Sequence, residues 1–124
     1  MRIALDAMGG DKAPQEIIAG AVEALKAIDP GDHIVLIGDE TIIKTQLGDL
    51  GNYGNQISVV HAPEAIGMDE QPVEALRKKR KSSISIMAKL GAEKDVDVVI
   101  SAGNTGACVA ACQMRMRPIP GVFR

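Results

Sequence analysis

Val98-Val99-Ile100-Ser101-Ala102-Gly103-Asn104-Thr105-Gly106-Ala107-Cys108-Val109-Ala110-Ala111-Cys112 decides how the rest of the chain is read. An apolar, β-branched run stops, small and polar residues intervene, and apolar residues resume at once. That order spells strand, tight loop, helix. The loop gathers backbone N–H groups at a helix start, a place that suits an anion.

The same alternation runs through the preceding sequence. Arg2 to Ala7 has strand character and ends in the flexible turn Met8-Gly9-Gly10-Asp11. Ala13-Pro14-Gln15-Glu16 opens a helix, with proline in its first turn and Ile17, Ala21, Val22, Leu25 and Ile28 at helical spacing. Asp29-Pro30-Gly31-Asp32 stops it. A second strand, His33 to Ile37, runs into Gly38-Asp39-Glu40-Thr41, which starts a helix carrying Ile42, Ile43 and Leu47; Gly48 to Asn55 is a loop. The third strand is Ile57 to His61. Ala62 to Gln71 is irregular, and Pro72 opens a long helical segment whose apolar stripe is Val73, Leu76, Ile84, Met87 and Leu90, with a break near Ser82-Ser83. The fourth strand, Val96 to Ile100, leads into the stretch quoted above.

Four strands alternating with helices predict an α/β fold, a mostly parallel sheet with helices on its faces. A doubly wound sheet usually has more strands, and Pro118-Ile119-Pro120-Gly121-Val122-Phe123-Arg124 stops in what resembles a connection. The expectation is therefore a truncated domain, residues 1–124 being the amino-terminal part of a single α/β catalytic domain. A parallel sheet cut before its later strands has an exposed edge, so the isolated piece is expected to aggregate or be partly disordered.

Composition narrows the classes. At 124 residues the chain has the length of one domain, and 46% hydrophobic with 24% charged residues is ordinary for a globular protein. Aromatics make up only 2%, which removes a stacking platform for single-stranded nucleic acid, and a net charge of -2 argues against coating a nucleic acid. Met1-Arg2-Ile3 passes straight into an apolar strand without a signal-peptide pattern, and no apolar run is long enough to span a bilayer. Cys108 and Cys112, four apart on one helix face, are expected to be reduced thiols packed among small residues in the cytoplasm.

Two loops follow strands and lie at the carboxyl edge of a parallel sheet, where ligands bind: Met8-Gly9-Gly10-Asp11 and Gly103-Asn104-Thr105-Gly106. Glycine allows close backbone approach, and Asn104 and Thr105 add side-chain donors for phosphate oxygens or a developing oxyanion. Tight structural turns explain the same residues. Gly9-Gly10 lacks the third glycine of a dinucleotide fingerprint, so no nucleotide cofactor is indicated. Asp6 and Asp11 bracket the first loop, either ordering a ligand or proton or serving as a strand-end carboxylate and a helix cap. His61 ends the third strand at the same edge; His33 begins its strand at the opposite one. Arg77-Lys78-Lys79-Arg80-Lys81 is the one dense basic run, a solvated helix face or a docking patch for an acidic partner or anion, aided by Ser82 and Ser83. No histidine or second cysteine pair completes a metal site with Cys108 and Cys112, and no nucleophilic triad can be assembled.

Ile3-Ala4-Leu5-Asp6-Ala7-Met8-Gly9-Gly10-Asp11, His61-Ala62-Pro63-Glu64 followed by Met68-Asp69, Ser101 to Ala107, and Ile119-Pro120-Gly121-Val122 together resemble the bacterial phosphate acyltransferase (PlsX) family. The motifs occur in the family's order from one end of the chain to the other. The resemblance implies a three-layer α/β/α, Rossmann-like fold related to isocitrate and isopropylmalate dehydrogenases. It also implies a reaction in which inorganic phosphate attacks acyl-acyl carrier protein, giving acyl phosphate for phospholipid synthesis, by a homodimer peripheral to the membrane. Phosphate is itself the nucleophile, so no serine or cysteine nucleophile is required; no cofactor and no metal-ligand set are assigned. On this reading Asn104, Asp6 and His61 are the catalytic candidates. Gly9, Gly10, Asp11, Ser101, Gly103, Thr105 and Gly106 hold phosphate or substrate, and Arg77, Lys78, Lys79, Arg80 and Lys81 dock the carrier protein. Lys81 stands where the family often has an acidic or polar residue, which makes this patch particular to the chain. A receiver-like regulatory module with Asp6 as phosphoacceptor is the competing reading, and a dehydrogenase fragment is a third.

Overall fold

The computed structural model describes residues 1–51 and 53–122. Asn52, in the expected Gly48–Asn55 loop, and Phe123 and Arg124 of the closing segment lie outside the described residues. Strands β1 (Arg2–Asp6), β2 (His33–Gly38), β3 (Ile57–His61) and β4 (Val98–Ile100) form a parallel sheet in the order β3-β2-β1-β4. The helices are α1 (Gln15–Ala24), α2 (Glu40–Asp49), α3 (Pro72–Lys78), α4 (Ser83–Ala92) and α5 (Thr105–Met116).

Period-2 alternation along the strands divides the core into two faces. Ile34 and Leu36 pack with Ile18 and Ala21 of α1 and Ile43 and Leu47 of α2. Ala4, Val35 and Ile37 turn the other way, onto Met87 of α4. β2 is buried on both faces, which is why His33 to Ile37 reads as a near-continuous apolar run. A third cluster joins Leu76 of α3, Ile84 and Ala88 of α4, and Ala107 and Ala111 of α5. Each fully buried Leu or Ile contributes roughly 1.5–3 kcal/mol, whereas an exposed ion pair such as Lys12–Glu16 contributes about 0–1 kcal/mol, so the core decides stability.

Several helix and strand boundaries differ from the sequence expectation by one to a few residues. α1 ends at Ala24; Leu25 and Ile28 still reach the core, from the tighter turns after it. α2 runs through Asp49, capped at its start by the Asp39 carboxylate, which accepts from the Ile42 N–H, and anchored by buried Leu47. β4 is three residues long, beginning at Val98. The break expected near Ser82-Ser83 is present and begins at Lys79, which leaves helical geometry; the Ser82 hydroxyl accepts from the Ser85 N–H to start α4.

β3 and β4 are the sheet edges, and on β4 Val98 and Ile100 are 37% and 46% exposed. Unpaired edge backbone beside exposed β-branched side chains templates further strand pairing. The 124-residue chain by itself is expected to self-associate in the micromolar range, and Val98→Lys to suppress this. Light scattering checks it, and an equally monomeric wild type would contradict it.

Candidate anion-binding site at the carboxyl edge of β1 and β4

Parallel strands bring all their carboxyl ends to one edge, and register then decides which residues meet there. Leu5 pairs with Ile100, so the next residues, Asp6 and Ser101, come side by side. The Ser101 hydroxyl donates to Asp6 Oδ2 at 2.8 Å, and Ser101 Oγ in turn accepts from the Gly103 N–H at 3.1 Å. Asp6 Oδ1 accepts from the Met8 N–H at 3.1 Å. One fully buried carboxylate therefore ties the turn after β1 to the turn after β4.

The two turns touch backbone to backbone. A Cβ built on Gly9 would lie 2.9 Å from the Gly103 nitrogen and 3.0 Å from its Cα, and would collide with Asp6 Oδ2. Gly103 faces the same obstacle, with the Gly9 Cα at 2.9 Å. Only a pair of glycines permits this approach.

Asn104 is the N-cap of α5: its Oδ1 accepts from the Ala107 N–H at 3.0 Å. Its Nδ2 donates to the carbonyls of Glu70 at 2.9 Å and Gly67 at 3.1 Å, with the Met68 carbonyl at 3.4 Å. The side chain is buried, so this amide caps the helix and holds the 67–70 turn; it does not extend free donors to a ligand. The N–H groups of Thr105 and Gly106, in the first turn of α5, have no partner among the described residues, and both residues are exposed. The donors open to an anion are these backbone groups, at the positive end of a twelve-residue helix.

Other candidate residues fall elsewhere. Asp11 is exposed beside Gly10, whose φ of 113° lies in the left-handed region, and Asp11 has no hydrogen bond or ion pair among the described residues. His61 ends β3, with β2 and β1 between it and β4; its Nδ1 accepts from the Glu40 N–H at 3.2 Å at the start of α2. His33 hydrogen-bonds Ser58 across β2 and β3. Ser82 and Ser83 are buried, the Ser82 hydroxyl bonded to Ser85, so neither is open to a ligand at the surface. Burial pushes the Cys108 thiol up to about 11 and raises Cys112 as well, so both thiols stay protonated at neutral pH.

The basic run is not one surface. Arg77 and Lys78 end α3, while Arg80 and Lys81 sit in the turn before α4, all four exposed. Lys79 is turned inward: its Nζ donates to the Ala65 carbonyl at 2.8 Å and pairs with Glu70 Oε1. Glu70 Oε1 also accepts from the Gly67 N–H at 2.7 Å, closing the turn on which Asn104 rests. Sequence reading missed this Gly67–Glu70 turn and its Lys79 clasp.

Lys79, and secondly the Gly67 N–H, hold the Glu70 carboxyl below its ordinary value. A folded-state pKa below the unfolded one adds stability above the unfolded value, about 4.3 for glutamate, and that stability is lost as pH falls through the folded value. Protection of the Gly67 amide against exchange is therefore expected to fall as pH drops below the unfolded value, and Glu70→Gln to show the reduced protection already at neutral pH. Equal exchange in Glu70→Gln and wild type at pH 7 would contradict the clasp.

Parallel strands, helices on both faces and paired turns at the carboxyl edge define an α/β protein of the doubly wound class, in which ligands seat at that edge. The family model described as fatty acid synthesis protein matches residues 1–124, and the chain belongs to that family. It is 49% identical over its full length to a phosphate acyltransferase of Desulforamulus reducens, and 44% to those of Nostoc punctiforme and Oceanobacillus iheyensis. The chain spans 36% of the length of each of these relatives. These names do not favour a receiver-like module, and neither does Asp6, which is 0% exposed and hydrogen-bonded to Ser101. Among the described residues no helix is long and apolar enough to cross a membrane.

Proposed function

We propose that the intact protein carrying this stretch transfers a fatty acyl group from an acyl carrier protein thioester to inorganic phosphate, yielding acyl phosphate for phospholipid synthesis. The observation that carries this reading is the α5 amino terminus: two partnerless backbone N–H groups, Thr105 and Gly106, beside two turns locked together through Gly9, Gly103 and Asp6. Relatives named phosphate acyltransferase support it.

In this reaction a phosphate oxygen bonds to the thioester carbonyl carbon, the C–S bond breaks, and the proton of hydrogen phosphate ends on the departing thiol. The protein need only hold the two reactants together and stabilise negative charge, which oriented backbone donors do without reorganising. Thr105 and Gly106 receive the anion, phosphate or oxyanion, with Gly10 and Asp11 at the rim of the same edge. Asp6, Ser101, Gly103 and Asn104 position these donors. His61, bonded to the start of α2, is assigned no step. The stretch is the amino-terminal part of a single catalytic domain of a cytoplasmic homodimer that meets the membrane peripherally.

The test is direct. The intact protein, given acyl carrier thioester and phosphate, is expected to form acyl phosphate and free carrier thiol in equal amounts. Thiol release that does not depend on phosphate would instead indicate a hydrolase.

A further inference from the structure

α3 and α5 pack side by side and leave a trough along their length. At one end, a cavity of about 370 Å3 is lined by Val73, Leu76, Arg77, Arg80, Met114 and Arg115. Adjoining it through Val73 lies a second hollow of about 490 Å3, lined among others by Val109, Thr105 and Gly106. The two share a wall, so the trough leads from three guanidinium groups to the partnerless amides of the proposed site. From Arg115 to Thr105 it covers about 15 Å at 1.5 Å per residue.

Its chemistry is divided. Arg77, Arg80 and Arg115 form no ion pair among the described residues, although five lysines and the chain's own amino terminus do. Between them and the α5 amino terminus the surface is apolar, with Val73, Val109 and Met114 49%, 54% and 65% exposed. Three unpaired cations at one end call for an acidic partner, and an apolar floor ending at an anion site calls for a flexible, largely apolar arm carrying the reacting group.

We propose that this trough is the docking surface for an acidic carrier protein, with Arg77, Arg80 and Arg115 receiving its carboxylates and Val73, Val109 and Met114 lining the path of its acyl-thioester arm to Thr105 and Gly106. The inference rests on the proposed acyl transfer and deepens it. It replaces the linear run Arg77 to Lys81 with a surface spanning two helices. Arg115 joins from a distant part of the chain, and Lys79, paired with Glu70, leaves it.

The experiment compares wild type, Arg115→Glu, and Lys89→Glu as a control on the exposed side of α4, in the intact protein. Carrier binding is read by fluorescence anisotropy at low and high salt, and turnover on the carrier thioester is set against turnover on an acyl thioester of a small uncharged thiol. Arg115→Glu is expected to weaken carrier binding on the order of tenfold, to lose most of the salt dependence, and to lose more turnover on the carrier than on the small thioester. Lys89→Glu is expected to match wild type. Carrier binding unchanged by Arg115→Glu, or lowered melting with unchanged binding because the protein's own chain fills the trough, would overturn the proposal. Absence of acyl phosphate from either thioester in wild type, with salt-sensitive carrier binding intact, would instead overturn the acyl-transfer reading.

Discussion

Gly9→Ala is expected to abolish most acyl phosphate formation by the intact protein, although the added group is one methyl. The new Cβ meets the Gly103 backbone and the Asp6 carboxylate, and neither can yield. Gly103 is held by Ser101, and Asp6 is fully buried with both oxygens hydrogen-bonded. Backbone must move instead, at about 1–3 kcal/mol for overpacking. Moving the β1 and β4 turns apart displaces the start of α5, and a misplacement of about 1 Å at a reacting centre can cost about 100-fold in rate. Gly103→Ala is expected to behave alike, because the obstacle is mutual. A Gly9→Ala enzyme with wild-type kcat and KM for phosphate would show that the close approach of the two turns has no part in the reaction.

Asn104→Ala is expected to lower both stability and turnover, and the balance between them identifies what the amide does. Loss of the cap costs about 0.5–2 kcal/mol. Stranding the Gly67 and Glu70 carbonyls adds up to about 1–3 kcal/mol, nearer the lower figure because both residues are only half-buried. Asn104→Asp keeps the acceptor for the Ala107 N–H but removes the donors and sets a carboxylate against carbonyl oxygens. If Asn104 positions the site, both variants raise KM for phosphate and lower kcat, and Asp restores thermal stability more than it restores turnover. Had Asn104 instead touched the reacting atoms, kcat would fall in both variants with the 67–70 turn undisturbed, and amide exchange at Gly67 would stay at its wild-type rate.

The residues Val98 to Cys112 carry most of what the sequence discloses. Strand, turn and helix were legible there because an apolar run, two glycines and the apolar run that resumes after them are local signals, and the same holds for Arg2 to Gly10 and for β2, buried on both faces. Pairing was not legible. Alternation places Asp6, Ser101 and His61 at one edge of a parallel sheet, but the order β3-β2-β1-β4 puts the first two in contact and sets His61 apart. Long-range partners decided the remainder. Asn104 reads as an open donor until the carbonyls 34 to 37 residues earlier are found on its amide, and Lys79 reads as a surface charge until Glu70 is found beside it. Arg115 carried no local mark at all; only the packing of α5 on α3 brings it near Arg77 and Arg80.

The proposed chemistry depends on which groups receive the anion. Backbone amide resonances of the intact protein, followed by 15N NMR during titration with inorganic phosphate, test this most directly. Saturable shifts at Thr105 and Gly106, with smaller ones at Gly10 and none at His61, are the predicted result. Saturable shifts confined to Arg77, Arg80 and Arg115, with Thr105 and Gly106 unmoved, would contradict it.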